Sequence, residues 1–270
     1  MYPLIAAHYE RDVTPIVSDL ARALIESISA DKLYGRILDI GTGTGIVARL
    51  ITQHLTAHAH VVGLDNSPDM LRAAQVMPNV KYAVQYVLSD IQIAPFADHT
   101  FDLAIASFGL NMTQPRRTFR EIRRLLRADG WLIFQEWAAR DPLSEAFDVL
   151  FSEYVPESAL DAIAEITPPS DWQDYLQDAD DYRDLLGELG CTNITASEGT
   201  PVTVHLPTVH SLITYKQAWP PYQIALAAMD IPTRATFASA LSDELAAFSE
   251  ADGSLRWSPP LFRIAAQFAR

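Results

Sequence analysis

The chain has 270 residues, enough for one large domain or a domain with a lid, and its apolar fraction of 49% is ordinary for a globular protein. A single cysteine, Cys191, excludes internal disulfides, and no run approaches the ~20 apolar residues of a membrane span. The N-terminus lacks the basic and long apolar regions of a signal peptide. We therefore expect a cytoplasmic protein that does not span a membrane.

The net charge of −14 is concentrated in one part of the chain. Residues 141–198 contain fifteen acidic side chains and one basic side chain, Arg183, whereas the remainder of the chain is neutral. Because an acidic segment repels phosphate backbones, nucleic acid is not an expected partner. We interpret the segment as a solvated surface, with a basic partner as the alternative.

The first half of the chain alternates between short apolar runs and helical patterns. Thr14 and Pro15 are predicted to cap and begin a helix. Strands are predicted at 36–40, 61–65, 80–90, 101–107 and 131–137. Helices are predicted at 46–55, from Ser67-Pro68 to Ala74, and at 116–126. Continuous apolar strands separated by helices indicate an α/β chain with a parallel sheet that is covered on both faces.

The second half has a looser pattern. One amphipathic helix is predicted around 147–154, a break at 167–169, a helix at 178–189, a strand at 200–206, helices within 208–250 and a last strand at 261–270. We divide the chain into a core with an N-terminal helical segment (1–137), a helical lid (138–180), a core helix and strand (181–206), a second helical insertion (207–256) and a final core strand (257–270).

Glycine or polar residues follow four of the predicted strands: the glycines of 41–45, Asp65, Asp90 and Ser107. Parallel α/β sheets bind their ligands at the carboxyl ends of the strands. These positions therefore predict a ligand site at one edge of the sheet.

The run "DIGTGTG" after the first strand predicts close approach of a ligand to bare backbone. The dinucleotide pattern G-x-G-x-x-G is not met, because Ile46 stands at its sixth position. Asp39 would repel a diphosphate but attract an ammonium or sulfonium group. Asp65 is placed to accept from both hydroxyls of a ribose. A nucleoside with a cationic tail is S-adenosylmethionine (SAM).

Four stretches, in this order and at this spacing, carry a resemblance to a known family: "LDIGTGTG", "GLDNSPDML", "SDIQIAPFADHTFDLAIAS" and "REIRRLLRADGWLIF". Over about residues 9–137 the chain resembles the class I SAM-dependent methyltransferases, and is most similar to the small-molecule branch that includes ubiquinone/menaquinone methyltransferases. The resemblance implies a doubly wound, mostly parallel seven-stranded Rossmann-like sheet with helical insertions forming a lid. It implies no metal.

The resemblance also implies roles for individual residues. Asp39, Gly41, Gly43 and Gly45 would surround the methionine portion of SAM, and Asp65 would hold the ribose. The other implied contacts are Asn66 and Met70 beside the adenine, Asp90 and Ile91 at its edge, Ser107 near the sulfonium and Tyr9 over the cofactor. Asp65 as a helix cap, Asp90 as a turn acid and Met70 as core filler are the alternatives.

Two side-chain clusters invite other functions. Histidines at 54, 58 and 60 have no acid or cysteine beside them, so a zinc site is not expected. Six arginines between 116 and 127 are interpreted as a solvated helix face, with RNA docking as the alternative. Aromatic residues of the insertions are interpreted either as the lining of an acceptor cavity or as the core of the insertions. They are Trp137, Phe147, Phe151, Tyr154, Trp172, Tyr175 and Trp219.

Methyl transfer needs alignment more than acid–base groups, because a sulfonium is already activated. We therefore identify no catalytic residue from the sequence. The expected function is transfer of a methyl group from SAM to O, C or N of a small molecule, with S-adenosylhomocysteine as the product. The alternatives are a protein or carrier-bound acyl group as acceptor, and a SAM-binding protein that transfers no methyl group. The sequence leaves the oligomeric state open.

Overall fold

The computed structural model describes residues 3–55, 59–77, 82–138, 141–166, 172 and 175–268. The strands are β1 (Arg36–Ile40), β2 (His60–Asp65), β3 (Val84–Leu88), β4 (Phe101–Ser107), β5 (Leu126–Trp137), β6 (Cys191–Glu198), β7 (Val204–Leu206), β8 (Leu255–Trp257) and β9 (Leu261–Phe268). The helices of the first half are α1 (Pro3–His8), α2 (Thr14–Ser27), α3 (Ile46–His54), α4 (Pro68–Val76) and α5 (Pro115–Leu125). Those of the second half are α6 (Pro142–Tyr154), α7 (Glu157–Ile166), α8 (Ala179–Glu188), α9 (Val209–Lys216), α10 (Pro220–Ala228) and α11 (Ile231–Glu244).

Within the described residues, seven strands form one sheet in the order β3-β2-β1-β4-β5-β9-β6. β1 to β5 pair in parallel, and β9 lies antiparallel to both of its neighbours. The order reverses between β1 and β4, where doubly wound sheets bind ligands. The predicted doubly wound, mostly parallel, Rossmann-like sheet is confirmed.

Both faces of the sheet are buried, which explains the continuous apolar strands. In β1, Leu38 and Ile40 belong to the hydrophobic core beneath α5 and α8, whereas Ile37 belongs to the core beneath α2 and α3. Because successive side chains of a strand point to opposite faces, each strand must be apolar throughout. The sequence therefore predicted the central strands to within a few residues.

A third hydrophobic core lies among the insertions. It joins α6, α9, α10 and α11 to a two-stranded sheet of β7 and β8. The helices predicted within 208–250 are confirmed, and none of the described helices is long and apolar enough to cross a bilayer. The break predicted at 167–169 lies outside the described residues. The five-part division of the chain remains a proposal.

Two predicted elements are wrong in placement. The strand predicted at 200–206 is β7, which pairs with β8 outside the main sheet, and the core strand is β6. β6 was missed because it is an edge strand, "CTNITASE", whose side chains are mostly exposed and polar.

Thr14 does not cap α2, as the sequence had predicted. A π-helical turn at Tyr9–Val13 runs directly into α2, and the Thr14 hydroxyl donates a hydrogen bond to Glu10.

Candidate active site

The glycine loop after β1 packs directly on the loop after β4. Gly41 has a positive φ of 66°, and a Cβ added there would lie 2.6 Å from the Cα of Gly109. A Cβ on Gly109 would in turn lie 2.4 Å from the carbonyl oxygen of Ile40. Bare backbone at these two positions lets the two loops meet at the point where the strand order reverses.

Gly43 differs from its neighbours because its open side faces space. It has a positive φ of 54°, and the nearest atom to an added Cβ would be the carbonyl oxygen of Gly41 at 4.0 Å. Packing explains Gly45 instead, where a Cβ would lie 2.5 Å from the hydroxyl of Tyr86. Among Gly41, Gly43 and Gly45, only Gly43 therefore has open space where a side chain would lie, and we call this side of the loop the cradle.

Asp39 lies fully buried beneath the loop. Its Oδ2 accepts hydrogen bonds from the Thr42 hydroxyl at 2.6 Å and from the Ala48 N–H of α3 at 3.0 Å. Its Oδ1 is buried and has no partner among the described residues. Burial raises the pKa of Asp39 to about 7. An acceptor oxygen left without a donor is costly, so the carboxyl takes up either a proton or a cationic partner at this position.

Asp65 connects the glycine loop to the end of β2. One carboxylate oxygen accepts from the Gly43 N–H and the other from the Ser67 N–H, each at 2.8 Å. Burial raises the pKa of this carboxyl above its ordinary value. The hydrogen bond from Ser67 agrees with the alternative interpretation, in which Asp65 only caps the following segment. The hydrogen bond from Gly43, however, places the same carboxylate next to the glycine loop. Each oxygen retains a lone pair for a ligand hydroxyl.

The π-helical turn covers this acidic group from the N-terminal side. Burial, followed by the charges of Asp65 and Glu10, raises the pKa of Tyr9 to about 12. Glu10 accepts from the Thr14 hydroxyl and lies 3.6 Å from Nη2 of Arg49. π-helical turns are often found at functional sites. Glu10 was not identified from the sequence, because nothing local marks an acid in a helix as facing a distant loop.

The remaining predicted adenine contacts fall on the ends of β2 and β3. Ser67 caps α4 by accepting from the Met70 N–H, Met70 is half-buried and Asn66 is exposed. Asp90 caps a 3₁₀ turn by accepting from the Gln92 N–H at 2.8 Å, and Ile91 is buried in the core. The backbone joins this edge to Asp65, whose carbonyl accepts from the Ser89 N–H. The structure thus brings them to one edge, while their contacts with adenine remain proposals.

Ser107 lies at the end of β4, next to a fully buried glutamine on β5. Gln135 donates from Nε2 to the Ser107 hydroxyl at 2.9 Å and to the carbonyl of Leu20 in α2 at 3.1 Å. Gln135 Oε1 is buried and has no partner in the described part of the chain. Sequence reasoning missed Gln135 because its partner is 28 residues away, in a neighbouring strand.

Glu136 is a second buried acid that was missed. Its Oε1 accepts from the Leu110 N–H at 3.1 Å and so holds the loop that carries Gly109. Burial raises the pKa of Glu136 to about 8. The signal was present in the sequence, as a charged residue within the apolar run "WLIFQEW".

An aromatic ladder extends from Ser107 towards the insertions. The rings of Phe108 and Trp137 stack with centroids 4.1 Å apart, and Trp137 stacks on Trp257 at 5.8 Å. Tyr215 contacts both Trp257 and Trp219. Of the aromatic residues considered from the sequence, Trp137 and Trp219 belong to this ladder.

The other aromatic residues considered from the sequence have different positions. Phe147 and Phe151 pack with Phe237 inside the insertion core, and Tyr154 contacts Phe237 at its edge. Trp172 is buried against Phe119 of the sheet core, and Tyr175 is exposed. Core packing therefore describes Phe147, Phe151 and Trp172 better than an acceptor cavity.

Metal-binding side chains do not cluster in the part of the chain described here, where no group of three or more His, Cys, Asp or Glu residues is placed to hold an ion. His58, one of the three histidines considered above, lies outside the described residues.

Comparison with known proteins agrees with this geometry. A family model for the methyltransferase domain matches residues 38–134. A demethylmenaquinone methyltransferase of Thermotoga maritima is 37% identical over 102 residues, covering 37% of this chain and 43% of the relative. One of Paenarthrobacter aurescens is 30% identical over 185 residues, covering 64% of this chain and 70% of the relative.

The solved structure of the YcgJ protein of Bacillus subtilis shares the fold, with a TM-score of 0.51 at 14% identity over 88% of this chain and 93% of that chain. The chain spans about half the length of the first curated relatives it matches, 43% to 52%. The match across most of the Paenarthrobacter relative and the domain match over the glycine loop establish the family. This chain belongs to the class I SAM-dependent methyltransferases.

Proposed function

We propose that the chain binds SAM in the cradle at Gly43 and catalyses methyl transfer to a small, largely apolar or aromatic acceptor at O, C or N. The observation that carries the proposal is the unpartnered, buried Oδ1 of Asp39, whose other oxygen is bonded to the glycine loop next to the open side of Gly43. In this assignment Gly41, Gly43 and Gly45 shape the methionine site.

Charge distinguishes SAM from other nucleotides at this site. Asp39 is a buried acid and Asp65 a half-buried one, both bonded to the glycine loop, and Glu10 of the N-terminal turn lies 3.6 Å from Arg49 at the start of the following helix. A diphosphate would bring two further negative charges into this group, whereas an ammonium and a sulfonium would neutralise it. The acids therefore favour SAM over NAD or ATP.

Further contacts to the cofactor follow from the positions of the other residues. We assign the ribose hydroxyls to Asp65 and the adenine to Asn66, Met70, Asp90 and Ile91. Tyr9 would cover the cofactor, and Ser107 would lie near its sulfur.

When bound, SAM supplies an activated methyl group for in-line displacement. The residues of the chain then need only to orient the acceptor and to exclude water. Gln135 fixes the Ser107 hydroxyl, and Glu136 fixes the loop at Leu110, so hydrogen bonds from β5 hold the end of β4 and the loop that follows it. We propose no general base.

The named relatives support a small-molecule acceptor, since both are demethylmenaquinone methyltransferases. The proposal includes a cytoplasmic location and no nucleic acid, membrane or metal partner. A protein or carrier-bound acceptor, and SAM binding without transfer, have no specific observation in their favour.

Methyl transfer is tested with methyl-labelled SAM and separate pools of hydroquinones, phenols, amines and carboxylic acids. We expect label in at least one pool and stoichiometric S-adenosylhomocysteine. If SAM binds but no pool becomes labelled above a protein-free control, the chain is a binding protein and transfer is excluded for these classes.

Cofactor affinity is expected to increase with pH because of Asp39. Its raised pKa of about 7 means that the carboxyl is mostly protonated at pH 6 and mostly ionised at pH 8. If only the ionised form attracts the ammonium of the ligand, affinity for S-adenosylhomocysteine rises about tenfold across this range. Calorimetry at several pH values measures it, and Asp39→Asn should remove the dependence. A wild-type affinity that does not change with pH would contradict the role of Asp39.

A further inference from the structure

Arg263 of β9 presents one edge of its guanidinium without a partner. Its Nε and Nη2 are both buried, and neither has a hydrogen-bond partner among the residues that the structure describes. Burial lowers the pKa of this side chain, as expected for a cation removed from water. Nε and Nη2 carry neighbouring, parallel N–H bonds, the fork that binds both oxygens of a carboxylate.

This edge belongs to a polar row that begins at the end of β4. Ser107 of β4 pairs with Gln135 of β5, Gln135 with Arg263, and Arg263 with Ser197 of β6. Residues that pair directly across strands share a face of the sheet, so these four side chains lie on one face, with Gln135 against α2 and Ser197 exposed. Adjacent strands are about 4.8 Å apart, which places Arg263 about 10 Å across the sheet from Ser107.

The hydrogen bonds of Gln135 set the polarity of the row. Its Nε2 donates to the Leu20 carbonyl, which can only accept, so the orientation of the amide follows from this contact. The same Nε2 donates to Ser107, which leaves the Ser107 O–H free to donate towards a ligand. Ser107 and Arg263 thus both offer donors.

The aromatic ladder beside the row adds a further donor. Trp137 lies two residues beyond Gln135 on the same face of β5, and its ring stacks on that of Trp257. The indole Nε1 of Trp257 is buried and has no partner in the described ranges. Among the described residues, three unpartnered donor atoms, Nε and Nη2 of Arg263 and Nε1 of Trp257, therefore lie near one unpartnered acceptor, Oε1 of Gln135, and the aromatic rings of the ladder lie alongside them.

We propose that Arg263 binds a carboxylate of the methyl acceptor, whose planar apolar part lies against Trp137 and Trp257. The proposal rests on the proposed function, because it takes Ser107 as the methyl-donor end. A carboxylate would fill the Nε/Nη2 fork and neutralise a desolvated cation, and an uncharged acceptor would leave both unsatisfied. Exclusion of water strengthens a charge-assisted bond at this position. Arg263 is thus assigned as a specificity residue.

The test uses the full chain saturated with S-adenosylhomocysteine and three probes: benzoate, benzamide and inorganic phosphate. Calorimetry or ligand-observed NMR is expected to show benzoate bound at least tenfold more tightly than benzamide or phosphate. Equal affinity for benzoate and benzamide, or no binding of benzoate, would overturn the proposal. Preference for phosphate would overturn the carboxylate assignment.

Variants separate a local effect from loss of fold. Arg263→Met replaces the buried charge with an apolar chain of similar length, which is usually tolerated. It should lose the preference for benzoate and keep its affinity for S-adenosylhomocysteine, while Arg256→Met, at an exposed position of β8, should behave as wild type. Gly199→Ala keeps the charge but brings a Cβ within 2.9 Å of the Arg263 stem, so it should weaken benzoate binding.

Failure of the proposed function and failure of the Arg263 assignment give different results. If S-adenosylhomocysteine does not bind, the proposed function fails and with it the methyl acceptor, and the benzoate comparison in its absence then shows only whether Arg263 binds a carboxylate. If S-adenosylhomocysteine binds and Arg263→Met retains the wild-type preference for benzoate, only the assignment of Arg263 fails.

Discussion

Gly43→Ala is expected to reduce affinity for S-adenosylhomocysteine at least a hundredfold while leaving the fold nearly unchanged. An added Cβ would contact nothing nearer than 4.0 Å, so the cost to folding is the positive φ alone, about 1 kcal/mol. In the cradle, the same methyl group would occupy the space proposed for the methionine chain. A loss of at least ~2.7 kcal/mol of binding energy follows. Calorimetry measures the affinity, and thermal unfolding measures the stability.

Two glycine variants serve as controls for Gly43→Ala. Gly253→Ala introduces the same kind of strain, because Gly253 has a φ of 83° and no atom within 4 Å of an added Cβ. Gly253 lies in the turn before β8, so the variant should bind S-adenosylhomocysteine as the wild type does. Gly41→Ala places a Cβ 2.6 Å from the Gly109 backbone and should destabilise folding by about 2–4 kcal/mol. Wild-type affinity in Gly43→Ala would show that no ligand occupies this side of the loop.

Asp65→Ala is expected to weaken binding of S-adenosylhomocysteine by about 1–3 kcal/mol, roughly 5- to 150-fold. The variant removes the acceptor proposed for the ribose hydroxyls. It also leaves the Gly43 and Ser67 N–H groups without their carboxylate, so part of the loss comes from a less ordered loop. Calorimetry with the wild type and the variant at one pH gives the difference directly.

A conservative variant and a matched control test whether the effect is specific to the Asp65 carboxylate. Asp65→Asn preserves the shape but presents an NH₂ group to one of the two N–H donors, so it should also bind weakly. Asp69→Asn alters another buried acid, four residues along in α4, whose partner is Arg72. It should bind as wild type. Unchanged affinity in Asp65→Ala would contradict the assignment of the ribose to Asp65.

Local sequence signals were sufficient for the sheet and for the glycine loop. A strand buried on both faces must be apolar throughout, so β1, β2 and β4 were visible in the sequence, and β1 and β4 were predicted with their observed ends. A position where the chain approaches another backbone too closely for a Cβ must be glycine, so such a position can be recognised in the sequence. Asp39 and Asp65 were identified because each follows such a strand or precedes such a loop.

Features that depend on distant partners were not visible in the sequence. β6 is held by pairing with β9 and has little apolar character of its own. The roles of Gln135 and Arg263 arise from register across the sheet, and a sequence does not state the register. The residue after the π-helical turn, Thr14, has its hydroxyl 3.4 Å from that of Thr44 in the glycine loop, 30 residues away, and this proximity is not marked in the sequence.

The most direct test of SAM recognition is calorimetric titration of the purified chain with SAM, S-adenosylhomocysteine, NAD and ATP. We expect saturable binding of the two adenosyl amino acids, since Asp39 attracts the ammonium group that both carry and Asp65 accepts from their ribose hydroxyls, and no competition by NAD or ATP. Binding of NAD or ATP by a chain that binds neither SAM nor S-adenosylhomocysteine would contradict it.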